Sequence, residues 1–269
     1  MEEIEIVAEM ERKEKHFVLV HGACHGAWCW YKVVTLLKSS GHKVTTLDLA
    51  ACGTHPNQYH QVPSAANYIE PLMEFMASLP PEERVILVGH SLGGLSISVA
   101  MVRFPQKVSV AVFCTAFMPS PDLSLTTLFE EYTGRIDSYM DSVYTFDAGT
   151  DNHPTSILCG PNFMASKLYQ LSPPQDLTLA VSLVRPHPML TAVEWNKVAA
   201  VTKEKYGSVD SVYIVCDQDN ILKQDLQRWM IQKYPTKEVK LISGSDHMLM
   251  FSKPKELCCC LQEIIDKYT

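Results

Sequence analysis

Short apolar runs rich in Val, Ile and Leu recur along the chain and alternate with longer stretches of helical periodicity. Near-continuous apolar runs are typical of strands in a parallel sheet that is covered on both faces. Because strands and helices alternate, the pattern predicts an α/β fold with a mostly parallel, doubly wound sheet. The predicted strands are 16–21, 43–49, 84–89, 108–114, 211–216 and 238–243, and the predicted helices are 27–40, 64–79, 92–104, 225–234 and 254–268.

Residues 119–207 interrupt this alternation with helical pieces, eight prolines and no convincing core strand. A bare loop of this length is not expected in a compact domain. The segment therefore predicts a mainly helical cap, inserted over the carboxyl edge of the sheet. Residues 16–269 are expected to form a single domain with this cap at about 119–207. Residues 1–15, dense in Glu and Lys, are expected to be a flexible leader.

Composition and charge narrow the class of protein. The chain has 269 residues, of which 46% are hydrophobic, enough to bury the core of one such domain. A net charge of −7 argues against nucleic acid or an anionic membrane surface as partner. The sequence has no apolar run of the ~18 residues that a membrane span requires, and its start lacks the apolar segment of a secretory signal.

The nine cysteines are scattered, and no two have the C-x-x-C spacing of a metal or redox motif. They are expected to be reduced thiols that pack as small apolar residues, which predicts a cytoplasmic location. Neither a metal ion nor a cofactor is expected.

The sequence Gly-His-Ser-Leu-Gly at 89–93 directly follows a predicted strand and precedes a predicted helix. This context is typical of a nucleophile elbow, in which a Ser is exposed on a strained strand-to-helix turn. The pattern predicts Ser91 as a nucleophile, against the alternative of a tight turn that happens to contain a Ser.

A nucleophilic Ser needs a His as base and an acid that orients the His. His247 follows the last predicted strand, where the loops of such a sheet carry reactive groups. Asp217 and Asp219 both follow the preceding strand, and Asp219 is favoured because it lies further into the loop. Asp246 is adjacent to His247, and neighbouring side chains diverge, so it is a poor orienting group.

Acyl transfer also needs N–H donors for the developing oxyanion. The backbone N–H of Leu92, directly after the nucleophile, is one candidate. The other is the N–H of Ala23, in the loop after the first strand, where Gly22 permits close approach of the backbone. His21 and His90 flank these elements and are expected to anchor loops through ring hydrogen bonds.

Several long motifs, in order, resemble the plant methylesterase family of the α/β-hydrolase superfamily, which also contains polyneuridine aldehyde esterase and hydroxynitrile lyases. The resemblance implies an α/β-hydrolase fold and a cofactor-free carboxylic ester hydrolase. It places the family's triad on Ser91, Asp219 and His247 and its oxyanion donors on Ala23 and Leu92. The motifs are at 16–33, 42–54, 85–94, 111–119, 206–219 and 245–250.

Two positions separate the esterases of this family from its lyases. Lyase members typically carry Thr where this chain has Gly22, and a Lys, which stabilises departing cyanide, where it has Met248. The chain therefore resembles the esterases. A carbon–carbon lyase acting on a cyanohydrin and a ligand-binding receptor with little turnover remain the alternatives.

The cap departs from the common family pattern at 186–189. Residues expected to shape the substrate pocket are Phe117, Tyr132, Tyr139, His187 and Met189, with a surface turn as the alternative for 186–189. The expected partner is the methyl ester of a small apolar plant metabolite. It is either a hormone ester or a carbomethoxy alkaloid, and hydrolysis of the alkaloid would allow decarboxylation to follow. A homodimer is left open.

Overall fold

The computed structural model describes residues 14–269, so most of the predicted leader lies outside the described residues. Two sheets form in this part of the chain, a six-stranded parallel sheet in the order β2-β1-β3-β4-β8-β9 and a three-stranded antiparallel sheet in the order β5-β6-β7. The strands are β1 (His16–Val20), β2 (Lys43–Thr46), β3 (Val85–Ser91), β4 (Val108–Ala116), β5 (Val143–Thr145), β6 (Ser156–Leu158), β7 (His187–Pro188), β8 (Asp210–Cys216) and β9 (Glu238–Ile242).

The helices include those predicted from the stretches of helical periodicity in the sequence. They are α1 (Tyr31–Ser39), α2 (Ala65–Ser78), α3 (Gly93–Arg103), α4 (Leu125–Thr133), α5 (Pro161–Phe163), α6 (Pro174–Leu183), α7 (Ala192–Asn196), α8 (Gln224–Lys233), α9 (Leu249–Ser252) and α10 (Pro254–Tyr268). None of the helices within residues 14–269 is both long and apolar enough to cross a membrane.

The central strands are buried along almost their whole length. Every residue of β1 and β3 is buried, whereas the edge strand β9 alternates between half-buried and exposed positions until its last residue, Ile242, which is buried. A strand covered on both faces can be apolar throughout, which explains the continuous apolar runs of the sequence. Because the strands are parallel, the chain leaves β1, β3, β4, β8 and β9 at one edge of the sheet, and the site described below lies there.

The inserted segment is mainly helical, as predicted, and it also contains the small sheet β5-β6-β7. The sequence did not predict this sheet, because its strands are two or three residues long. Strands this short cannot show the alternation by which a strand is identified in a sequence.

Two predicted elements are shorter than expected. The predicted strand 43–49 ends at Thr46, where the chain turns away so that the Asp48 carboxylate can accept hydrogen bonds from the amides of Ala27 and Thr54, at 2.7 and 2.9 Å. The predicted helix 27–40 begins with a 3-10 turn, Ala27–Trp30, before α1 starts. Local side-chain hydrogen bonds thus set boundaries that apolar periodicity does not show.

Candidate active site

Ser91 is the last residue of β3, and its φ of +52° lies in the left-handed region, which is strained for a residue with a side chain. The turn into α3 is tight enough to require glycine. A Cβ on Gly93 would lie 2.7 Å from the carbonyl oxygen of His21, and one on Gly94 only 2.0 Å from that of Phe117. The structure therefore contains the predicted strand–turn–helix elbow at Ser91.

Ser91, His247 and Asp219 form one chain of hydrogen bonds. The Ser91 hydroxyl lies 3.0 Å from His247 Nε2, and His247 Nδ1 lies 2.6 Å from Asp219 Oδ2. All three side chains are buried. Since the carboxylate accepts from Nδ1–H, Nε2 is left free to accept a proton from the hydroxyl.

Three further donors hold the Asp219 carboxylate in place. Its Oδ1 accepts hydrogen bonds from the amides of Ile221 and Leu222, at 2.6 and 3.0 Å. Its Oδ2 also accepts from the Thr115 hydroxyl, at 2.5 Å. Sequence reasoning missed Thr115, although its place near the carboxyl end of β4, beside the elbow strand, was an available signal.

The other two acids considered from the sequence have different positions. Asp217 accepts hydrogen bonds from the Ser243 hydroxyl and the Gly244 amide, and so links two loops. Asp246 is fully buried and accepts from the Leu171 amide and the Ser172 hydroxyl of the cap, both at 2.9 Å. Burial raises the pKa of Asp246. Neither carboxylate is hydrogen-bonded to the His247 ring.

Two histidines hold the backbone on either side of Ala23. His21 Nδ1–H donates to the Gly22 carbonyl at 2.7 Å, while His21 Nε2 accepts from the Leu49 amide at 3.1 Å. His25 Nδ1–H donates to the Ala23 carbonyl at 2.8 Å. Because the C=O and N–H of a trans peptide point in opposite directions, a fixed Gly22 carbonyl also fixes the direction of the Ala23 N–H.

His90 also anchors a loop, as predicted. Its Nε2–H donates to the backbone carbonyl of His247 at 2.8 Å, and the two rings lie 4.7 Å apart between centroids. Burial holds the pKa of His90 well below its ordinary value, so the ring is neutral at physiological pH. Leu92, which directly follows Ser91 in the chain, is the N-cap residue of α3.

A cavity of about 260 Å³ lies between this edge of the sheet and the cap. Its floor is formed by core residues and its walls mainly by apolar and aromatic cap residues. All five residues expected from the sequence to shape a pocket line the cavity, namely Phe117, Tyr132, Tyr139, His187 and Met189. The other core residues that line it are Gly22, Ala23, Cys24, His25, His90, Ser91, Leu92, Ile221, His247 and Met248.

His187 is a polar residue in the cap part of the cavity wall. It is buried, and its Nδ1 has no hydrogen-bond partner among the residues that the structure describes. Burial lowers the pKa of His187 to about 3, so the ring is neutral. Several cap residues that line the cavity, including Tyr144, Cys159 and Trp195, were not predicted, because no sequence motif marks them.

The charge of the cavity wall is also informative. Neither Lys nor Arg is among the lining residues of the described chain, and Met248 occupies the position beside His247. Within residues 14–269, no group of three or more His, Cys, Asp or Glu side chains is arranged to hold a metal ion.

Comparison with known proteins places the chain in a family. Residues 17–258 match the model of the alpha/beta hydrolase family. Methyl jasmonate esterase 1 of Vitis vinifera is 59% identical over 97% of this chain and 100% of its own length. Polyneuridine aldehyde esterase of Rauvolfia serpentina is 44% identical over 95% of this chain and 97% of its own.

Comparison with solved structures agrees with the comparison of sequences. A crystal structure of tomato methylketone synthase I, complexed with 2-tridecanone, superposes with a TM-score of 0.92 at 49% identity, over 96% of this chain and 100% of the other. The chain belongs to the alpha/beta hydrolase family and, within it, to the plant methylesterases, and is therefore a carboxylic ester hydrolase.

Proposed function

We propose that this protein hydrolyses the methyl ester of a small, largely apolar plant metabolite, with Ser91 as nucleophile, His247 as base and Asp219 as the acid that orients it. The observation that carries the proposal is the hydrogen-bond chain from Asp219 through His247 to Ser91, which opens onto an apolar cavity. A hydroxyl adjacent to an oriented imidazole at the floor of such a cavity is suited to acyl transfer.

In the first half of the reaction, His247 Nε2 takes the Ser91 proton as Oγ attacks the ester carbonyl. The oxygen that becomes negatively charged accepts hydrogen bonds from the backbone N–H groups of Ala23 and Leu92. Asp219 stabilises the imidazolium that forms. His247 then returns the proton to the departing methoxide, so methanol leaves and the acid part stays bound to Ser91.

In the second half, a water molecule occupies the place vacated by methanol. His247 takes a proton from the water, whose oxygen attacks the acyl carbonyl through the same two N–H donors. Collapse of the intermediate returns the proton to Ser91 Oγ and releases the free carboxylic acid. No step requires a cofactor.

The cavity wall limits the substrate class. Aromatic and aliphatic side chains provide most of the wall, so binding rests on burial of an apolar acid part, with few polar contacts for orientation. A hormone ester such as methyl jasmonate, methyl salicylate or methyl indole-acetate meets this description, as does a carbomethoxy alkaloid. Methyl jasmonate is the first candidate, because the Vitis vinifera relative that is 59% identical bears that substrate in its name.

Carbon–carbon lyase activity on a cyanohydrin is disfavoured by two features. A lining without Lys or Arg in the described chain offers no cation for departing cyanide. In addition, a side chain at position 22, where the lyases have Thr, would place its Cβ 2.7 Å from Ser91 Cβ. Because Gly22 has no side chain, it fits beside the elbow of this chain and leaves the Ser91 hydroxyl unobstructed.

The test is mass-spectrometric product analysis of the wild-type enzyme on a panel of these methyl esters and one aromatic cyanohydrin. We expect methanol and free acid from at least one ester and no cyanide from the cyanohydrin. Loss of CO₂ after methanol from a carbomethoxy alkaloid would identify the decarboxylating route. Tight binding of one compound without any turnover would overturn the esterase in favour of a receptor.

We also propose that the enzyme acts in the cytoplasm. All nine cysteines are free thiols in the structure, a usage expected in a reducing compartment. Fractionation of plant cells that express a tagged chain checks this, and recovery with secreted proteins would contradict it.

A further inference from the structure

Two thiols that are 135 residues apart in the sequence meet in the wall of the cavity. The sulfur atoms of Cys24 and Cys159 lie 3.4 Å apart. Cys24 directly follows Ala23 in the loop after β1, and Cys159 directly follows β6 of the cap. The pair therefore bridges the floor of the cavity and its cap.

The surroundings distinguish the two sulfur atoms. The Cys159 S–H donates to Cys24 Sγ, and this contact, with help from the backbone amides of Cys159 and His187, lowers the pKa of the Cys24 thiol. The same contact and burial raise the pKa of Cys159. Cys24 is thus the better thiolate, and Cys159 lies within reach of whatever forms on it.

Access to the pair is through the cavity, since both residues line it and Cys24 is otherwise buried. A cavity of about 260 Å³ admits a molecule of the size of hydrogen peroxide, whereas glutathione disulfide is too large to enter alongside the aromatic wall. A small peroxide is therefore the oxidant that fits.

We propose that Cys24 and Cys159 are a modification site, at which a small peroxide forms a disulfide that joins the cap to the loop carrying Ala23. The Cys24 thiolate attacks hydrogen peroxide, breaks the O–O bond and becomes a sulfenic acid, while the released hydroxide takes up a proton to become water. The Cys159 thiol then attacks Cys24 Sγ, the S–S bond forms, and a second water leaves. Two thiols and one peroxide thus give one disulfide and two waters.

The disulfide changes the site in two ways. The sulfur atoms must approach from 3.4 Å to about 2.05 Å, by rotation of the two side chains together with movement of the backbone that carries them. Cys24 already has a left-handed φ of +62° and shares a peptide bond with Ala23, so movement there shifts the proposed oxyanion donor. The bond also prevents the cap from moving away from the floor when a substrate enters.

The effect on turnover rests on the proposed function, whereas formation of the disulfide does not. We expect kcat/KM of the peroxide-treated enzyme to fall about 10-fold or more, since small displacements of catalytic groups have effects of this size or larger. Dithiothreitol is expected to restore activity, because it reduces the disulfide.

The test compares wild type, Cys159→Ser and Cys259→Ser, the last removing an exposed cysteine of α10 as a matched control. Each is treated with hydrogen peroxide, and peptides separated without reduction are identified by mass spectrometry. Activity is recorded as the ratio of treated to untreated enzyme within each variant. We expect a peptide pair joined through Cys24 and Cys159 in wild type and Cys259→Ser, with dithiothreitol-reversible loss of activity. In Cys159→Ser we expect no joined pair and a smaller loss of activity, because oxidation there stops at a sulfenic acid on Cys24.

Two results would overturn the proposal. One is the absence of the joined peptide pair in wild type under conditions that oxidise Cys259. The other is a joined pair that leaves the activity ratio of wild type equal to that of Cys159→Ser. If the untreated enzyme hydrolyses no ester, the proposed function fails instead, and the peptide analysis still decides whether the disulfide forms.

Discussion

At the scale of single residues, the groups proposed to react are held in place by neighbours that do not react. The Thr115 hydroxyl and two backbone amides fix the Asp219 carboxylate. His21 fixes the peptide that presents the Ala23 N–H. Such contacts are effective because they hold dipoles in place before the reaction begins, so little reorganisation is needed as charge develops.

Substitution of Thr115 tests the first of these contacts. Thr115→Val keeps the shape of the side chain and removes the hydrogen bond to the carboxylate, so we expect kcat/KM to fall about 10-fold, equivalent to about 1.4 kcal/mol. Thr115→Ser keeps the hydroxyl and is expected to retain most of the activity. Equal activities of the two variants in steady-state kinetics would show that the hydroxyl does not position Asp219.

Substitution of His21 tests the second contact. His21→Ala frees the Gly22 carbonyl, and we expect kcat to fall by about 10²-fold, the scale of losing one oxyanion donor, while KM changes little. His42→Ala is the matched control, because His42 is also buried and hydrogen-bonded, to Gln262 at 2.8 Å. A rise in KM with kcat unchanged would contradict the assigned role of His21. An equal fall in kcat in both variants would contradict it as well.

At the scale of elements, buried polar contacts join the cap to the core. Asp176 of α6 is almost fully buried and accepts hydrogen bonds from the Tyr31 hydroxyl and the Lys32 ammonium group of α1, at 2.8 and 2.5 Å. Asp246, beside His247, accepts from two donors of the cap. The cap is thus joined to the core at one end of α6 and at the loop that carries His247.

Removal of the Asp176 carboxylate is expected to destabilise the protein. Asp176→Ala leaves the partly buried Lys32 without its partner, and we expect the free energy of unfolding to fall by about 2–4 kcal/mol. The control is Asp122→Ala, which breaks an exposed pair with Lys203 and is expected to change stability by less than about 1 kcal/mol. Urea denaturation measures both, and equal midpoints for the two variants would exclude a structural role for Asp176.

Comparison of these elements with the sequence shows which parts of the fold and of the site could be predicted. The apolar runs predicted all six strands of the large sheet, because they depend on local pattern. The Gly-x-Ser-x-Gly motif predicted Ser91 as nucleophile, and chain order with loop position predicted Asp219 and His247 as its partners. Thr115, Asp176 and the pairing of Cys24 with Cys159 were not predicted. Each depends on which cap and core residues meet in three dimensions, and no periodicity or spacing encodes that contact.

At the scale of the whole molecule, several histidines are buried in a neutral state. Burial lowers the pKa of His25 to about 4 and that of His187 to about 3, and it lowers the pKa values of His16, His21 and His90. The unfolded chain, with ordinary histidine pKa values of about 6.5, binds more protons than the folded chain below that pH. Acid therefore favours unfolding.

The expected result is a stability that is full above pH 6.5 and declines as the pH falls toward 4. His25 and His187, whose pKa values in the folded chain are about 4 and about 3, each contribute a loss that approaches roughly 1.4 kcal/mol per pH unit below pH 6.5, and the lowered pKa values of the other three add to it. Thermal unfolding at pH 7, 6 and 5 measures the trend. His187→Phe is expected to reduce the number of protons taken up on unfolding by about one, and so to make stability less dependent on pH. A midpoint temperature that is constant from pH 7 to 5 would contradict the assignment of these histidines as neutral.

The central claim, that the whole fold serves covalent catalysis at Ser91, is tested most directly by ester hydrolysis in two serine variants. The measurement is kcat/KM for the ester that wild type hydrolyses, beginning with methyl jasmonate. The variants are Ser91→Ala and, as control, Ser98→Ala, which removes a buried hydroxyl bonded to the Gly94 carbonyl. We predict a loss of at least about 10⁴-fold for Ser91→Ala and less than about 10-fold for Ser98→Ala. Substantial hydrolysis by a folded Ser91→Ala enzyme would contradict the account.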